Sequence, residues 1–196
     1  MANVAVLASG SGSNFQAIAE ALADPGRNPR GHRVVLLVCD KPGAGCLDRA
    51  TRLGIASVVV PYGPGRTPEV RRVAETAMTS ALETAGADLV VLAGFMRILT
   101  PLFVGRWKGR LVNIHPALLP RHPGAHGIAD SFASNDKELG VTVHWVDEGV
   151  DTGAVIAQKS FPRTPGLSLA EAEAKIHEIE HDLYPATVLK LLEAHA

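Results

Sequence analysis

Cysteine is scarce in this sequence, and the scarcity excludes two kinds of site. Cys39 and Cys46 are the only cysteines among 196 residues. Two thiols are too few for a disulfide framework in a chain of this length, and they do not make a cysteine-rich zinc centre. The G-x-S-x-G motif of serine nucleophiles is also missing. We therefore expect free thiols in a reducing compartment, no metal site and no covalent intermediate.

Long apolar runs and an excess of either charge are missing as well. No stretch approaches the ~20 apolar residues of a membrane span, and the N-terminus lacks the regions of a secretory signal peptide. Lysine and arginine total 19 against 20 acidic residues, a formal net charge of −1, which creates no field to attract nucleic acid. We expect a cytoplasmic monomer or homodimer that binds small molecules, with neither nucleic acid nor membrane as a partner.

The apolar residues that are present, 46% of the chain, fall in short runs separated by helical patterns. Four runs, at 3–8, 33–40, 56–60 and 88–94, are bounded by turn residues and lack alternation, which is typical of strands buried on both faces. Alternation of strand and helix predicts an α/β fold with a Rossmann-like, doubly wound, mostly parallel sheet. The length predicts a single domain over residues 1–196.

The pattern changes after Arg110. A further strand is predicted to end near residue 114, a loop rich in proline and glycine follows, and the runs at 140–146 and 153–161 predict a late pair of strands, with antiparallel pairing as one arrangement.

The last predicted element is a helix. Ser168 and Glu171 have the spacing of a capping box, so the helix should begin near Ser168, and Pro185 should end or kink it. An apolar stripe should bind the helix to the core; it consists of Leu169, Ala172, Ile176, Ile179 and Leu183.

A glycine-rich loop joins the first predicted strand to the first helix. Gly10 and Gly12 allow the backbone to approach a ligand, free N–H groups at the helix start favour an anion, and Ser13 or Asn14 can cap the helix. Phe15 occupies the third glycine position of the dinucleotide fingerprint, and the P-loop lysine is absent. The loop therefore favours phosphate over a dinucleotide, while a tight turn without a ligand stays open.

Asn113 and His115 follow the fifth predicted strand. Their i, i+2 spacing points both side chains the same way, at the carboxyl edge where open α/β sheets bind ligands. An amide donor beside an imidazole can stabilise an oxyanion, and the imidazole can move a proton near neutral pH. A structural proline-rich loop with an incidental histidine is the alternative.

Further polar candidates lie in the C-terminal part. Asp151 belongs to a D-x-G turn, for which a purely turn-forming role is the alternative. A carboxylate near His115 would favour the charged ring and orient it. His126 and His144 are expected to be structural more often than not. A polar stripe on the last helix, by default a solvated face, comprises His177, Glu180, His181 and Tyr184.

Five segments occur in the order typical of one known family. They read ASGSGSNFQAI, LAGFMRILTP, NIHPALLPRHPGAHG, VHWVDEGVDTGAVIAQ and HEIEHDLYP. Through these segments the sequence resembles the phosphoribosylglycinamide formyltransferases over essentially the whole chain. The resemblance implies transfer of a formyl group from 10-formyltetrahydrofolate to the amino group of glycinamide ribonucleotide.

The resemblance also implies residue roles. It implies that Asn113, His115 and Asp151 are catalytic. It assigns residues 1–100 to a half that binds the substrate phosphate, and residues 101–196 to a catalytic and folate-binding half. The implied substrate residues are Gly12, Ser13, Asn14 and Glu180. The implied folate residues are Arg66, Met96, Arg97, Ile98, Leu99, Val146, Asp147, Glu148, Gly149 and Val150.

Some points stay open after the resemblance. His177 stands where some members of the family carry lysine or glutamine, so its contact with substrate is undecided. Met96, Ile98 and Leu99 could be core residues, as most apolar residues are. A formyltetrahydrofolate hydrolase and a non-catalytic nucleotide-binding module are the alternative functions; the phosphate loop disfavours the first, and the Asn113, His115 and Asp151 set disfavours the second.

Overall fold

A computed structural model describes residues 1–63 and 67–194. Within these ranges, no helix is both long enough and apolar enough to span a membrane. The elements in chain order are β1 (Asn3–Ala8), α1 (Ser13–Ala23), β2 (Arg33–Cys39), α2 (Gly45–Leu53), β3 (Ser57–Val59), α3 (Pro68–Thr84), β4 (Leu89–Leu92), α4 (Pro101–Arg106), β5 (Leu111–His115), α5 (Gly127–Ala133), β6 (Glu138–Trp145), β7 (Val155–Pro162) and α6 (Leu169–Ala194).

The strands form one sheet in the order β3-β2-β1-β4-β5-β6-β7. Strands β1 to β5 pair in parallel, whereas β6 is antiparallel to β5 and β7 is antiparallel to β6. The predicted α/β class and the late strand pair are therefore confirmed, and the pair is antiparallel. Because β2 lies on one side of β1 and β4 on the other, the sheet has a switch point at the carboxyl ends of β1 and β4, where ligands bind in open sheets.

Two apolar clusters cover the two faces of the sheet. Phe15 and Ile18 of α1 pack with Ile176 and Tyr184 of α6 on one face. On the other face α3 and α4 contribute Met78, Leu82, Phe103 and Trp107. Residues of β1 alternate between the clusters, with Val4, Val6 and Ala8 in the first and Ala5 and Leu7 in the second. Burial on both faces explains why β1 and β4 read as continuous apolar runs. The same prediction was wrong for β3, which lies at the edge of the sheet and has Val59 37% exposed.

The last helix begins as expected but ends later. The backbone N–H of Ser168 donates to Glu171 Oε2 at 2.8 Å and that of Glu171 donates to Ser168 Oγ at 3.3 Å, which is the predicted capping box. The helix continues past Pro185 to Ala194, so the predicted end there was wrong. Proline removes one backbone donor, but packing holds the helical segment that follows, since its apolar residues Val188, Leu189 and Leu192 are buried.

The apolar stripe of α6 was predicted correctly except at its start. Ala172, Ile176 and Ile179 are buried, and Leu183 packs against the same cluster. Leu169 is 39% exposed, because it opens the first turn of the helix before α6 reaches the core.

Candidate active site

The glycine-rich loop is shaped by Gly12. This residue is the N-cap of α1 with φ 77°, and a β-carbon on it would lie 2.6 Å from Cys46 Cβ, so only glycine fits. No side chain caps α1, so the predicted cap by Ser13 or Asn14 was wrong. Both residues lie inside the helix, and the Asn14 amide donates to Glu180 Oε2 at 3.1 Å instead. The first N–H groups of α1 are thus left for an anion.

A cavity of about 500 Å³, named the loop cavity here, adjoins this loop. Lys41 lines it and adds a cation to the wall that also contains the start of α1. The sequence signal for Lys41 was present, because it lies two residues beyond β2 at the same carboxyl edge of the sheet. The lining comprises Ser9, Gly10, Ser11, Gly12, Ser13, Asn14, Lys41, Ala93, Gly94, Met96, Ile114, Pro116, Ala125, His126, Gly127, Ile128, Ala129, Glu173, His177 and Glu180.

The polar stripe of α6 is partly buried rather than solvated. Glu180 is 5% exposed and Tyr184 is fully buried, with its hydroxyl donating to the carbonyls of Leu92 and Val112. The solvated reading was therefore wrong for both residues. Glu180 Oε2 also accepts from His177 Nδ1 at 2.9 Å, and this hydrogen bond raises the pKa of His177 although partial burial opposes it.

The segment His177–His181 also has the H-E-x-x-H spacing of zinc peptidases, which runs against the expectation of no metal site. Its two imidazoles are placed differently: His177 is bound to Glu180, while His181 Nε2 is buried without a hydrogen-bond partner. In the described part of the chain, no group of three candidate ligands is arranged to hold a metal ion.

The structure brings Asn113, His115 and Asp151 together. The first two lie at the end of β5, and Asp151 reaches them from the turn between β6 and β7, where it adopts φ 55°. Asp151 Oδ2 lies 3.3 Å from His115 Nδ1 and accepts the Gly124 N–H at 2.8 Å. Asp151 Oδ1 lies 3.4 Å from Asn113 Nδ2. Asp151 is thus more than a turn residue, and its contact with the imidazole exists as expected.

Both nitrogens of the His115 ring face acceptors. Nε2 donates to the backbone carbonyl of His122 at 2.7 Å, and Nδ1 faces the Asp151 carboxylate. These two contacts, one on each ring nitrogen, fix the orientation of the His115 ring. Burial alone would raise the pKa of Asp151, but hydrogen bonds from His144 and the Gly124 amide, together with the nearby His115, lower the pKa below its usual value.

His144 belongs to the same cluster, although the sequence favoured a structural role. Its Nε2 lies 3.3 Å from Asn113 Nδ2 and 3.5 Å from Asp151 Oδ1, and its Nδ1 donates to the Trp145 carbonyl at 2.8 Å. His144 stands directly opposite Asn113 in the antiparallel register of β5 and β6. That register is set by tertiary pairing, and no spacing in the sequence gives it.

A second cavity, of about 350 Å³, is named the turn cavity because it is bounded by the turn after β6. Met96 and Ile98 are each 64% exposed on its wall, so the core alternative was wrong for them, whereas Leu99 is 8% exposed and is buried. The lining comprises Leu92, Gly94, Phe95, Met96, Arg97, Ile98, Leu99, Val104, Asn113, Ile114, His115, Pro116, Gly124, Ala125, His144, Val146, Asp147, Glu148, Gly149, Val150 and Asp151.

All the implied folate residues that the structure describes line the turn cavity. Arg66 lies outside the described residues. Arg97 is fixed at the cavity wall, because its Nε lies 2.5 Å from buried Asp40 Oδ2 and its guanidinium stacks 4.9 Å from the Tyr62 ring centroid.

The two cavities meet along a common wall. Gly94, Met96, Ile114, Pro116 and Ala125 line both of them. Each cavity draws on residues from both sides of position 100. Asn113, His115 and Asp151 line the turn cavity, and Ile114 and Pro116 of the common wall are chain neighbours of the first two.

Comparison with known proteins agrees with this arrangement. A family model described as formyl transferase matches residues 2–188. Phosphoribosylglycinamide formyltransferase of Bacillus subtilis is 38% identical over 192 residues, which cover 98% of this chain and 95% of that protein. The crystal structure of phosphoribosylglycinamide formyltransferase from Bacillus halodurans superposes with a TM-score of 0.90 at 40% identity, covering 99% of this chain and 97% of that one.

One further relative is much longer than this chain. The trifunctional purine biosynthetic protein adenosine-3 of Drosophila melanogaster is 44% identical over 193 residues, and the chain spans only 14% of its length. The match over nearly full length in Bacillus subtilis is the more informative one for the family. The chain therefore belongs to the formyl transferase family and, within it, to the phosphoribosylglycinamide formyltransferases.

Proposed function

We propose that this chain transfers the formyl group of 10-formyltetrahydrofolate to the amino group of glycinamide ribonucleotide. The products are formylglycinamide ribonucleotide and tetrahydrofolate, in de novo purine biosynthesis. The observation that carries the proposal is the common wall of the loop cavity and the turn cavity beside Asn113 and His115. Two substrates bound in adjoining cavities can bring an amine and a formyl carbon to about 3 Å from each other.

The ribonucleotide fits the loop cavity. Its phosphate is assigned to the backbone of Gly12, Ser13 and Asn14 and to Lys41, where the start of α1 and a cation favour a negative charge. Glu180 is assigned to polar groups of the ribonucleotide; its buried carboxylate is held by Asn14 and His177. The amino group then points towards the common wall.

The formylfolate fits the turn cavity. Exposed Met96 and Ile98 supply an apolar surface for a flat ring, and the turn Val146–Val150 supplies backbone donors and acceptors for its polar edge. A concave wall of exposed apolar side chains with few polar groups is the chemistry that such a ligand needs.

The catalytic residues act on the formyl group directly. When the amine attacks the formyl carbon, negative charge develops on the formyl oxygen and is stabilised by the Asn113 amide and the His115 imidazolium. The contact of 3.3 Å between His115 Nδ1 and Asp151 Oδ2 is long, so an arriving oxyanion can share that N–H. Asp151 keeps the ring charged and, through a water, can carry the amine's proton to the departing folate nitrogen.

One assay tests the reaction. Purified protein is mixed with both substrates, and formation of tetrahydrofolate and formylated product is followed. His115→Ala should lower kcat by about 100- to 1000-fold while both substrates still bind, since that is the usual loss for one oxyanion donor. Near wild-type turnover in this variant would remove His115 from the proposed role.

Two further measurements separate the proposed function from its alternatives. Rapid release of formate without the ribonucleotide would favour a formylfolate hydrolase. Calorimetry with glycinamide ribonucleotide and with NAD should give binding of the ribonucleotide only; tight binding of NAD without turnover would favour a nucleotide-binding module.

We also place the reaction in the cytoplasm. Cys39 and Cys46 are free thiols, which fits a reducing compartment. Small molecules are the partners that this site requires, and a monomer or a homodimer would serve equally well.

A further inference from the structure

His122 lies next to the catalytic cluster without lining either cavity. It belongs to the loop between β5 and α5, and its backbone has φ 55°, a left-handed conformation that is uncommon for a residue other than glycine. In this conformation its carbonyl accepts the Nε2–H of His115 at 2.7 Å. The carbonyl therefore decides which ring nitrogen is left to face Asp151.

The side chain of His122 is anchored in turn. Its Nε2 lies 2.8 Å from Asp136 Oδ2, which also accepts from Arg121 Nη1 at 3.0 Å. The hydrogen bond from His122 is the main reason why the pKa of Asp136 lies below its usual value. The backbone N–H of Asp136 donates to Ser134 Oγ at 3.3 Å, so the carboxylate sits on an ordered turn after α5.

Hydrogen bonds hold the rest of the loop on both sides of His122. Thr142 Oγ1 accepts the Leu119 N–H at 3.0 Å, and Asp151 Oδ2 accepts the Gly124 N–H at 2.8 Å. Between these two anchors, the side chain of His122 is held by the 2.8 Å contact of its Nε2 with Asp136, while Ser134 Oγ lies further from the same nitrogen, at 3.5 Å.

We propose that His122 is a positioning residue for His115, with Asp136 as its anchor. The His122–Asp136 hydrogen bond holds residue 122 in the left-handed conformation that aims its carbonyl at His115 Nε2. With Nε2 engaged, Nδ1 must face Asp151 and the site of the oxyanion. This role rests on the proposed function only for its effect on turnover, because the ring geometry itself can be measured without substrates.

Three variants test the role, with one matched control. His122→Gly accepts the left-handed backbone but loses the bond to Asp136, and Asp136→Ala loses the same bond from the other side. Both should lower kcat by about 10- to 100-fold and change the KM of either substrate by less than about threefold, as expected for a misplaced catalytic group. Arg121→Gln removes the other partner of Asp136 and should keep wild-type kcat.

A conservative variant separates positioning from general packing. In His122→Gln the side-chain amide Nε2 is the same number of bonds from Cα as in histidine, so it can still donate to Asp136. It should recover most of the kcat that His122→Gly loses. Wild-type kcat in His122→Gly, an equal loss in Arg121→Gln, or a rise in KM at constant kcat would overturn the proposal.

A spectroscopic measurement that needs no turnover tests the role of His122 separately from the proposed function. The ¹⁵N resonances of the His115 ring report the protonation and hydrogen bonding of both nitrogens. They should change in Asp136→Ala and stay unchanged in Arg121→Gln; an unchanged ring in Asp136→Ala overturns the role of His122. A wild-type protein that forms no product while its His115 ring responds in this way would contradict the proposed function alone.

Discussion

Gly127 offers a direct test of how closely the position of His115 is set. A β-carbon added to this residue would lie 2.8 Å from His115 Nε2 and 2.9 Å from Cε1. In Gly127→Ala the ring would have to retreat to a contact of about 3.4 Å, a displacement of roughly 0.6 Å. The substitution thus moves the side chain that we propose as catalytic without deleting it.

The displacement should cost turnover rather than binding. The ring is held by the His122 carbonyl at 2.7 Å and by Asp151 at 3.3 Å, so a shift of the ring would change contacts that set its position. A misplacement of about 1 Å can lower a rate about 100-fold, so we expect kcat of Gly127→Ala to fall by roughly 10- to 100-fold. The KM values should stay close to those of the wild type.

Stability should change little in the same variant. Gly127 is the first residue of α5 and has no left-handed φ, so alanine gains up to about 1 kcal/mol of helix propensity, which offsets part of the crowding. Steady-state kinetics and thermal unfolding are measured together. Gly105→Ala in α4 is the control, because a β-carbon there meets nothing within 4 Å. Wild-type kcat in Gly127→Ala would refute the geometric reasoning.

Three further outcomes follow from single residues. Asp151→Asn should lower kcat, and it should also weaken the acid-side pH dependence of the free energy of unfolding. The wild-type carboxylate has a lowered pKa, so its stabilisation is present above the unfolded value near 3.8 and is lost as the pH falls below it. Parallel loss of stability in urea titrations of both proteins below pH ~4 would contradict this. Gly12→Ala should lose about 1–2 kcal/mol from its left-handed φ alone, and more from the contact of 2.6 Å with Cys46, with a raised KM for the ribonucleotide. His177→Gln should be less stable than the wild type at pH ~6 and closer to it at pH ~8. The raised pKa of His177 gives stabilisation below 6.5 that disappears as the pH rises through the folded value. A stability difference that does not depend on pH would exclude the His177–Glu180 pair as its cause.

The parallel part of the fold was predictable because burial on both faces of the inner strands leaves a plain mark in the sequence, and the edge strand β3, although half-exposed, carries the same apolar run. Each of the first four strands is a run of apolar residues without alternation, and helical spacing separates the runs. Pro185 misled the prediction of the last helix, since a local rule about one missing donor was outweighed by the burial of Val188, Leu189 and Leu192. Local rules fail where tertiary packing is strong.

The residues of the site also divide into those that the sequence could predict and those that it could not. Asn113 and His115 could be predicted from their spacing because both stand on one strand. His144 could not, since its place opposite Asn113 depends on the register of β6. The contact between the His122 carbonyl and His115 was also hidden, because a backbone group in an irregular loop carries no residue-type signal. Lys41 was predictable from its place just beyond β2 and was overlooked.

Burial of the catalytic cluster bears on how water and amine compete. The side chains of His115, His144 and Asp151 are 4%, 2% and 12% exposed. In the proposed reaction, the formyl carbon would therefore be reached through the two cavities and not across open surface. A ribonucleotide in the loop cavity would cover the common wall and would place its amine where water otherwise enters. In the proposed reaction, the same enclosure would strengthen the interaction of His115 and the Asn113 amide with a developing oxyanion, because the effective dielectric falls when water leaves. In the proposed reaction, the second substrate would therefore itself favour amine transfer over hydrolysis, because it would both supply the nucleophile and close the path for its competitor.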